Sequence, residues 1–253
     1  MLFILLVLLM HCATTATAQS TAPITGADVL EDVIDHTRFD SLWRESKRFG
    51  KIDTKGVNSD AYREYRKQMA LARPDRYLPA SRLAYWINAY LALLMEAMNN
   101  RVGYRATVWD SLYLQRDTAT VANAPFTLKR LADTIVSIAN DVQIRAFLAT
   151  GSSNGPPFPA HALYARTVAA ELRTQLRKLV RSERYVLYDP AGNVLQLAVL
   201  FNEWFADDSL RQTNVLEVLL PWMNEAMAAQ IALNQGTLAI QISDRIETWK
   251  RAR

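Results

Sequence analysis

Residues 83–95 constrain the fold of this chain more than any other segment. They read Leu-Ala-Tyr-Trp-Ile-Asn-Ala-Tyr-Leu-Ala-Leu-Leu-Met, an apolar run that holds one amide, Asn88, between Trp86 and Tyr90. A run that is apolar on every side predicts a buried helix. An amide inside such a helix costs stability unless it is hydrogen-bonded. We therefore expect Asn88 to be a fixed polar anchor, either for an internal loop or for a site.

The amino terminus has the pattern of a secretory signal peptide. An uninterrupted apolar run spans 2–10, which is shorter than the roughly 20 residues that a bilayer-spanning helix needs. Ala16-Thr17-Ala18 supplies a small-x-small cleavage site, so 1–18 is interpreted as the leader and 19–253 as one domain. The expected location is periplasmic or secreted, with no membrane span after cleavage. An uncleaved anchor is the alternative, and His11 before Cys12 disfavours lipidation of that cysteine.

Cysteine content and charge exclude several function classes. Cys12 is the only cysteine, and cleavage after Ala18 removes it, so the mature chain has no disulfide, thiolate nucleophile or thiolate metal ligand. The net charge is +4, and the basic residues are spread along the chain among acidic ones. This distribution, together with the secretory leader, argues against nucleic-acid binding.

Periodicity and turn residues predict an α+β fold, predominantly helical, with a few short antiparallel strands. A five-residue turn, Asp-Pro-Ala-Gly-Asn, indicates a hairpin near 185–198, and 237–242 alternates like an edge strand. A connector over 52–57 is interpreted as extended. Helices are predicted over about 25–49, 61–72, 81–99, 160–180 and 215–233, the last with a kink or a new start at Pro221. Residues 104–140 are predicted to be irregular, with amphipathic pieces at about 108–114 and 128–139.

Five segments resemble those of the DUF547 family, in the same order and at similar spacing. Residues 83–94 resemble the family's "FWINxYNA" motif, and 144–157 resemble "IHFALxCGAxSCPP". The other three segments are 42–53, 195–208 and 215–222, so that the resemblance runs over roughly 38–222. The family has no settled biochemical activity, and the resemblance implies more about fold than about function.

The departures from the family pattern fall on its reactive residue types. Arg145 stands in the place of the family's His, and Thr150 and Gly155 stand in the places of its paired cysteines. Scaffold positions are kept: Trp86, Asn88, Tyr90, Gly151, Pro156, Pro157 and Trp204. A Cys/His/acid site such as the family pattern suggests therefore cannot operate in this chain.

Hydroxyl residues in the segment 150–153 suggest a second, weaker catalytic hypothesis. Thr150, Ser152 or Ser153 could act as a nucleophile with His161 as its base, since a hydroxyl needs an adjacent base to attack. The alternative is a tight turn whose hydroxyls cap backbone groups, with His161 capping the following helix or packing under the loop. The sequence leaves the enzyme question open and leans against catalysis.

The hypothesis that the chain binds an anion depends mainly on Arg145. Its guanidinium, beside Asn88 and the amides of the loop at Gly151, suits a carboxylate or a phosphate, with Trp86 and Tyr90 as neighbouring binding candidates. A structural salt bridge to Asp141 or Asp208 is the competing and favoured interpretation. Trp43, Trp86, Trp204 and Trp222 fit core packing better than a ligand platform.

The histidine spacing does not predict a metal site. His36 and His161 form neither an HxxxH nor an HxH pattern, and His36 is interpreted as a solvated helix residue. No cofactor is expected. The leading hypothesis is an exported, non-catalytic domain that binds a small anionic ligand or a protein, and the alternative is the hydroxyl-dependent hydrolase.

Overall fold

The computed structural model describes residues 34–48, 51–52, 54–99, 118–150, 155–205 and 215–243. Within these ranges the chain is mostly helical with small sheets of two and three strands, which confirms the predicted α+β class. None of the helices in these ranges combines the length and apolar composition that crossing a membrane requires.

The first helix begins later than its periodicity predicts. Helix α1 spans Thr37–Ser46, and Ile34 to His36 are not helical. The Asp35 carboxylate accepts a hydrogen bond from the Thr37 backbone N–H at 2.9 Å, which is how such a residue marks a helix start. Of the rest of the predicted helix, 25–33 and 49 lie outside the described residues, and 47–48 form a strand instead.

A short hairpin and a second helix follow. Strands β1 (Lys47–Arg48) and β2 (Lys51–Ile52) pair antiparallel, and helix α2 spans Asp60–Leu71 as predicted. The connector predicted to be extended is instead a 3-10 helix at Thr54–Asn58, because it buries Val57 against the core.

The apolar segment that opened the sequence argument is the long helix α3, Pro79–Asn99. It is the centre of the first hydrophobic core, as the predicted buried helix requires. Helix α2 packs against it through tyrosines that reach across to backbone carbonyls. Tyr62 donates its hydroxyl to Ala92 O at 2.8 Å, and Tyr85 donates to Met69 O at 2.7 Å.

A second hairpin was not predicted. Strands β3 (Ala119–Val121) and β4 (Ala124–Phe126) are joined by Ala122 and Asn123, both at positive φ without any glycine. The turn docks on the end of α2, where Ala122 N–H donates to Met69 O at 3.1 Å, so tertiary contacts supply what the turn residues lack. Helix α4, Leu128–Ala139, then forms at the second amphipathic piece of the segment that was predicted to be irregular. The predicted amphipathic piece at 108–114 lies outside the described residues.

The segment after α4 connects the two hydrophobic cores. Val142–Phe147 is a 3-10 helix. Ile144 and Phe147 are buried in the first core, whereas Val142 and Ala146 are buried in the second. Because its opposite sides enter different cores, this segment is fixed between them.

The second core surrounds a three-stranded sheet. Helix α5 spans Val168–Val180, and strands β5 (Val186–Asp189) and β6 (Val194–Ala198) form the predicted hairpin. Helix α6 is Leu200–Phe205. The predicted helix 215–233 is broken into α7 (Val215–Leu219), a 3-10 turn at Leu220–Trp222 and α8 (Glu225–Leu233), since Asn224 leaves the helix to cap α8.

The last described strand, β7 (Ala239–Ser243), adds to the edge of this sheet. It follows the short 3-10 turn Gln235–Thr237 and pairs parallel with β6. The strand order is β5-β6-β7, so the edge position predicted from its alternation agrees with the sheet. The tryptophans assigned to the core behave accordingly: Trp43, Trp86 and Trp204 are buried, and Trp222 is partly buried.

Candidate functional site

Asn88 anchors the irregular segment between the 3-10 helix and α5. Its side chain is fully buried. The Nδ2 group donates to Leu163 O at 2.7 Å, and Oδ1 accepts from Leu163 N–H at 2.8 Å. One amide thereby satisfies both backbone groups of a residue that is distant in sequence. Of the two roles that the sequence left open for Asn88, the structure shows the anchor for an internal loop.

The same segment, hereafter the clamped loop (155–167), is held by side chains from several other elements. Trp43 Nε1 donates to Pro159 O at 3.1 Å, and Asp40 accepts from Ala162 N–H at 2.8 Å. Gln175 and Tyr185 donate to the carbonyls of Pro157 and Gly155. These bonds explain why the helix predicted from residue 160 starts only at Val168: the backbone groups that a helix would use are bound elsewhere.

Trp86 and Tyr90, named as binding candidates, take part in packing. Trp86 is 7% exposed and lies against Tyr85 and Phe126, with ring centroids 5.2 and 5.1 Å away. Tyr90 is buried and donates its hydroxyl to Ala149 O at 2.8 Å. Both rings therefore hold the chain around α3, and Tyr90 fixes the residue just before Thr150.

His161 lies on the clamped loop rather than in a helix. Its Nδ1 donates to Ala162 O at 2.9 Å, and its Nε2 faces Glu171 Oε1 at 3.1 Å. Both partners are acceptor oxygens. Because both ring nitrogens face these oxygens, neither faces a hydroxyl that it could deprotonate, as a general base must. Glu171 is a partner that the sequence analysis did not identify, since it sits on the polar side of an amphipathic helix.

Of the three hydroxyl residues named as candidate nucleophiles, the structure describes only Thr150. Thr150 is partly buried and follows directly on Ala149, whose carbonyl Tyr90 binds. Gly151, Ser152 and Ser153 lie outside the described residues, so the nucleophile and loop-amide hypotheses for them stay predictions.

Arg145 is the remaining candidate, and one donor of its guanidinium is not satisfied by the described residues. It lies on the 3-10 helix between the two cores and is partly buried. Its Nε is buried without a hydrogen-bond partner among the described residues. The favoured salt bridge to Asp141 does not form; the Asp141 side chain instead caps this 3-10 helix by accepting from Gln143 N–H. Asp208, the other partner considered, lies outside the described residues.

The interpretation of His36 as a solvated helix residue was wrong. His36 precedes α1, is 2% exposed, and its Nδ1 lies 2.9 Å from the Tyr65 hydroxyl. Its ring also meets the edges of Tyr65 and Tyr164, at centroid distances of 5.9 and 6.2 Å. Burial lowers the pKa of His36 to about 4, and the nearby Asp35 opposes this only in part. His36 is therefore a neutral core residue that joins the chain before α1 to α2.

Neither the arrangement of possible metal ligands nor comparison with known proteins identifies a further site. Over the described ranges, His, Cys, Asp and Glu nowhere gather in a group of three able to hold a metal ion. No protein-family model matches the chain, and neither a curated protein nor a solved structure matches it. The site is therefore defined by its own geometry: a loop bound by side chains of several helices, a histidine with both nitrogens engaged, and Arg145 with its buried, unpaired Nε.

Proposed function

We propose that this chain is a divergent, exported member of the DUF547 group that binds a small anionic ligand and does not catalyse a reaction. The order and spacing of the five resembling segments support the family part of the proposal. The single observation that carries the binding part is the guanidinium of Arg145, whose Nε is buried without a partner over the described ranges.

A buried guanidinium nitrogen that has lost water and gained no partner is unfavourable, and an oxygen of a carboxylate or phosphate would satisfy it. Arginine recognises such planar or tetrahedral anions through parallel N–H donors. The backbone of Arg145 is held between the two hydrophobic cores, so the position of its Cα is fixed before any ligand binds. A preorganised cation loses less entropy when it binds an anion.

The engagement of His161 supports a binding role over the hydrolase alternative. A hydrolase needs one ring nitrogen for the orienting acid and the other for the nucleophile. Here the second nitrogen is bonded to Ala162 O. Ester hydrolysis by the purified chain that Thr150→Ala and His161→Ala both abolish would overturn the non-catalytic proposal.

Inorganic phosphate is a suitable probe of the anion site. We expect phosphate to raise the melting temperature of the wild type more than sodium chloride does at equal ionic strength, because a ligand that binds only the native state stabilises it. The Arg145→Gln variant should lose this response. Arg173→Gln is the matched control, since Arg173 is an exposed arginine of α5. Equal responses in all three proteins would refute the site.

Export is tested separately from binding. When the full chain is expressed in a bacterium, we expect the product in the periplasm or medium to begin at Gln19. Amino-terminal sequencing and intact mass would check this, and the mass would also reveal a lipid on Cys12. Cytoplasmic product that still carries 1–18 would contradict the proposed export and leave the anion site untouched.

A further inference from the structure

Strand β7 is exposed where its neighbours in the sheet are buried. Every residue of β5 is buried, and so are four of the five residues of β6. In β7, by contrast, four of the five residues are exposed, and Ile240 and Ile242 are 41% and 42% accessible. These two side chains are two positions apart and so share one face of the strand. Among the strands of the described ranges, the sheet therefore ends in an apolar edge strand.

The outer edge of β7 presents backbone groups from these same isoleucines. Ala239 pairs with Val194, and Ala239 N–H donates to Asn193 O at 3.0 Å. In a parallel ladder, alternate residues direct both backbone groups to one neighbour, so Ala239, Gln241 and Ser243 face β6. The N–H and C=O groups of Ile240 and Ile242 consequently face away from the sheet.

We propose that this edge pairs antiparallel with β7 of a second copy of this chain, about a twofold axis at Gln241. In that register Ile240 lies opposite Ile242 of the second copy, and the reverse. Each of these pairs directs its backbone groups at the other strand, so each exchanges both N–H···O bonds. Gln241 faces its own equivalent as the pair without mutual hydrogen bonds. The result is one six-stranded sheet with an isoleucine cluster across its centre.

The sequence of the strand favours a second copy over an unrelated partner. Ala-Ile-Gln-Ile-Ser places isoleucine symmetrically about Gln241, which is what an isologous contact needs. The strand also lacks the lysine, other charges and proline that normally block edge-to-edge pairing. Two copies can therefore meet without charge repulsion. A contact limited to one strand is smaller than a standard interface of about 1,600 Å², so the dimer is weak and forms reversibly.

Sedimentation equilibrium of the purified full chain tests this pairing. We expect the wild type to show a concentration-dependent monomer–dimer equilibrium. Ile242→Lys should shift the protein to monomer, because it places a charge in the centre of the contact. Leu78→Lys is the matched control, since Leu78 is exposed to a similar extent (43%) on a different part of the fold and should leave the dimer intact. Circular dichroism would verify that both variants fold.

A cysteine at the axis tests the register. In a Cys12→Ser background, Gln241→Cys should form a disulfide-linked dimer under mild oxidation, because facing residues of such a pair lie within disulfide reach. Leu78→Cys should not form that dimer. A wild type that stays monomeric at every concentration, or an Ile242→Lys variant that dimerises as the wild type does, would overturn the proposal. So would a Gln241→Cys chain that cross-links no better than Leu78→Cys.

Discussion

Removal of the Asn88 amide should release Leu163 of the clamped loop from α3 and strongly destabilise the fold. Asn88→Ala deletes the hydrogen bonds of 2.7 and 2.8 Å that satisfy the Leu163 carbonyl and N–H. Leu163 is itself fully buried, so water cannot replace the lost partner without opening the loop. Each buried backbone group left without a partner costs about 1–3 kcal/mol. The free energy of unfolding should therefore fall by about 2–6 kcal/mol.

Urea denaturation, followed by tryptophan fluorescence, measures this change through the midpoint and slope. Asn58→Ala is the matched control, because Asn58 is exposed and its hydrogen bond to Arg63 uses its backbone oxygen. Asn88→Asp keeps the acceptor and replaces the donor with a carboxylate that faces the Leu163 carbonyl, so it should be at least as destabilising.

Hydrogen exchange gives a local check on the same reasoning. The Leu163 amide should be strongly protected in the wild type, because it is buried and donates to Asn88. Its protection should drop in Asn88→Ala more than that of amides in α2. A stability loss below about 1 kcal/mol for Asn88→Ala, or an unprotected Leu163 amide in the wild type, would refute the anchoring role.

Three further predictions concern how much buried and exposed side chains contribute to stability. His36 has its pKa lowered by burial from 6.5 to about 4, so the unfolded chain binds the proton first as pH falls. Neutral His36 therefore contributes fully to the free energy of unfolding above pH 6.5, and this contribution, about 3 kcal/mol in total, is lost as the pH falls toward 4. The urea midpoint should fall less across this pH range in His36→Gln than in the wild type. Tyr90→Phe leaves a buried carbonyl without its donor and should cost about 1–3 kcal/mol in the same assay. Lys129→Ala removes an exposed ion pair to Asp133 at 2.8 Å and should change stability by less than about 0.5 kcal/mol. A larger loss for Lys129 than for Tyr90 would contradict this ranking by burial.

The elements that the sequence predicted correctly are those with a strong local pattern. Helix α3 is apolar on every side, and α2 carries Tyr62, Tyr65 and Met69 on one side and ends before Pro74. The hairpin at 185–198 has a turn whose residues favour it. In each case neighbouring residues along the chain contain the information, so no distant partner is needed to recognise the element.

The errors fall where a distant side chain competes with the local pattern. Residues 160–167 have helical periodicity, yet Asn88 and Asp40 bind their backbone and hold them out of α5, and Trp43 binds the carbonyl of Pro159 just before them. The β3–β4 turn has no glycine and is stabilised by the end of α2. Periodicity cannot report such bonds, because the donors and acceptors are brought together only when the helices pack.

The candidate site shows the same division. The sequence identified Asn88 as a polar group that must be bonded, since an amide in an apolar run has no other stable arrangement. It did not identify Leu163 as the partner, nor Glu171 as the partner of His161. For Arg145 the sequence favoured a salt bridge, and the structure leaves its Nε without a hydrogen-bond partner among the described residues.

By itself, the sequence determined the fold class, the central buried helix and the need for a bonded amide within it. These follow from composition and spacing, because burying apolar surface and pairing polar groups are required of any fold this chain adopts. Only the tertiary structure decided where α5 begins, that His36 is buried and neutral, and that both nitrogens of His161 are engaged. Those outcomes depend on which groups meet across long stretches of chain, and the geometry of packing alone sets that.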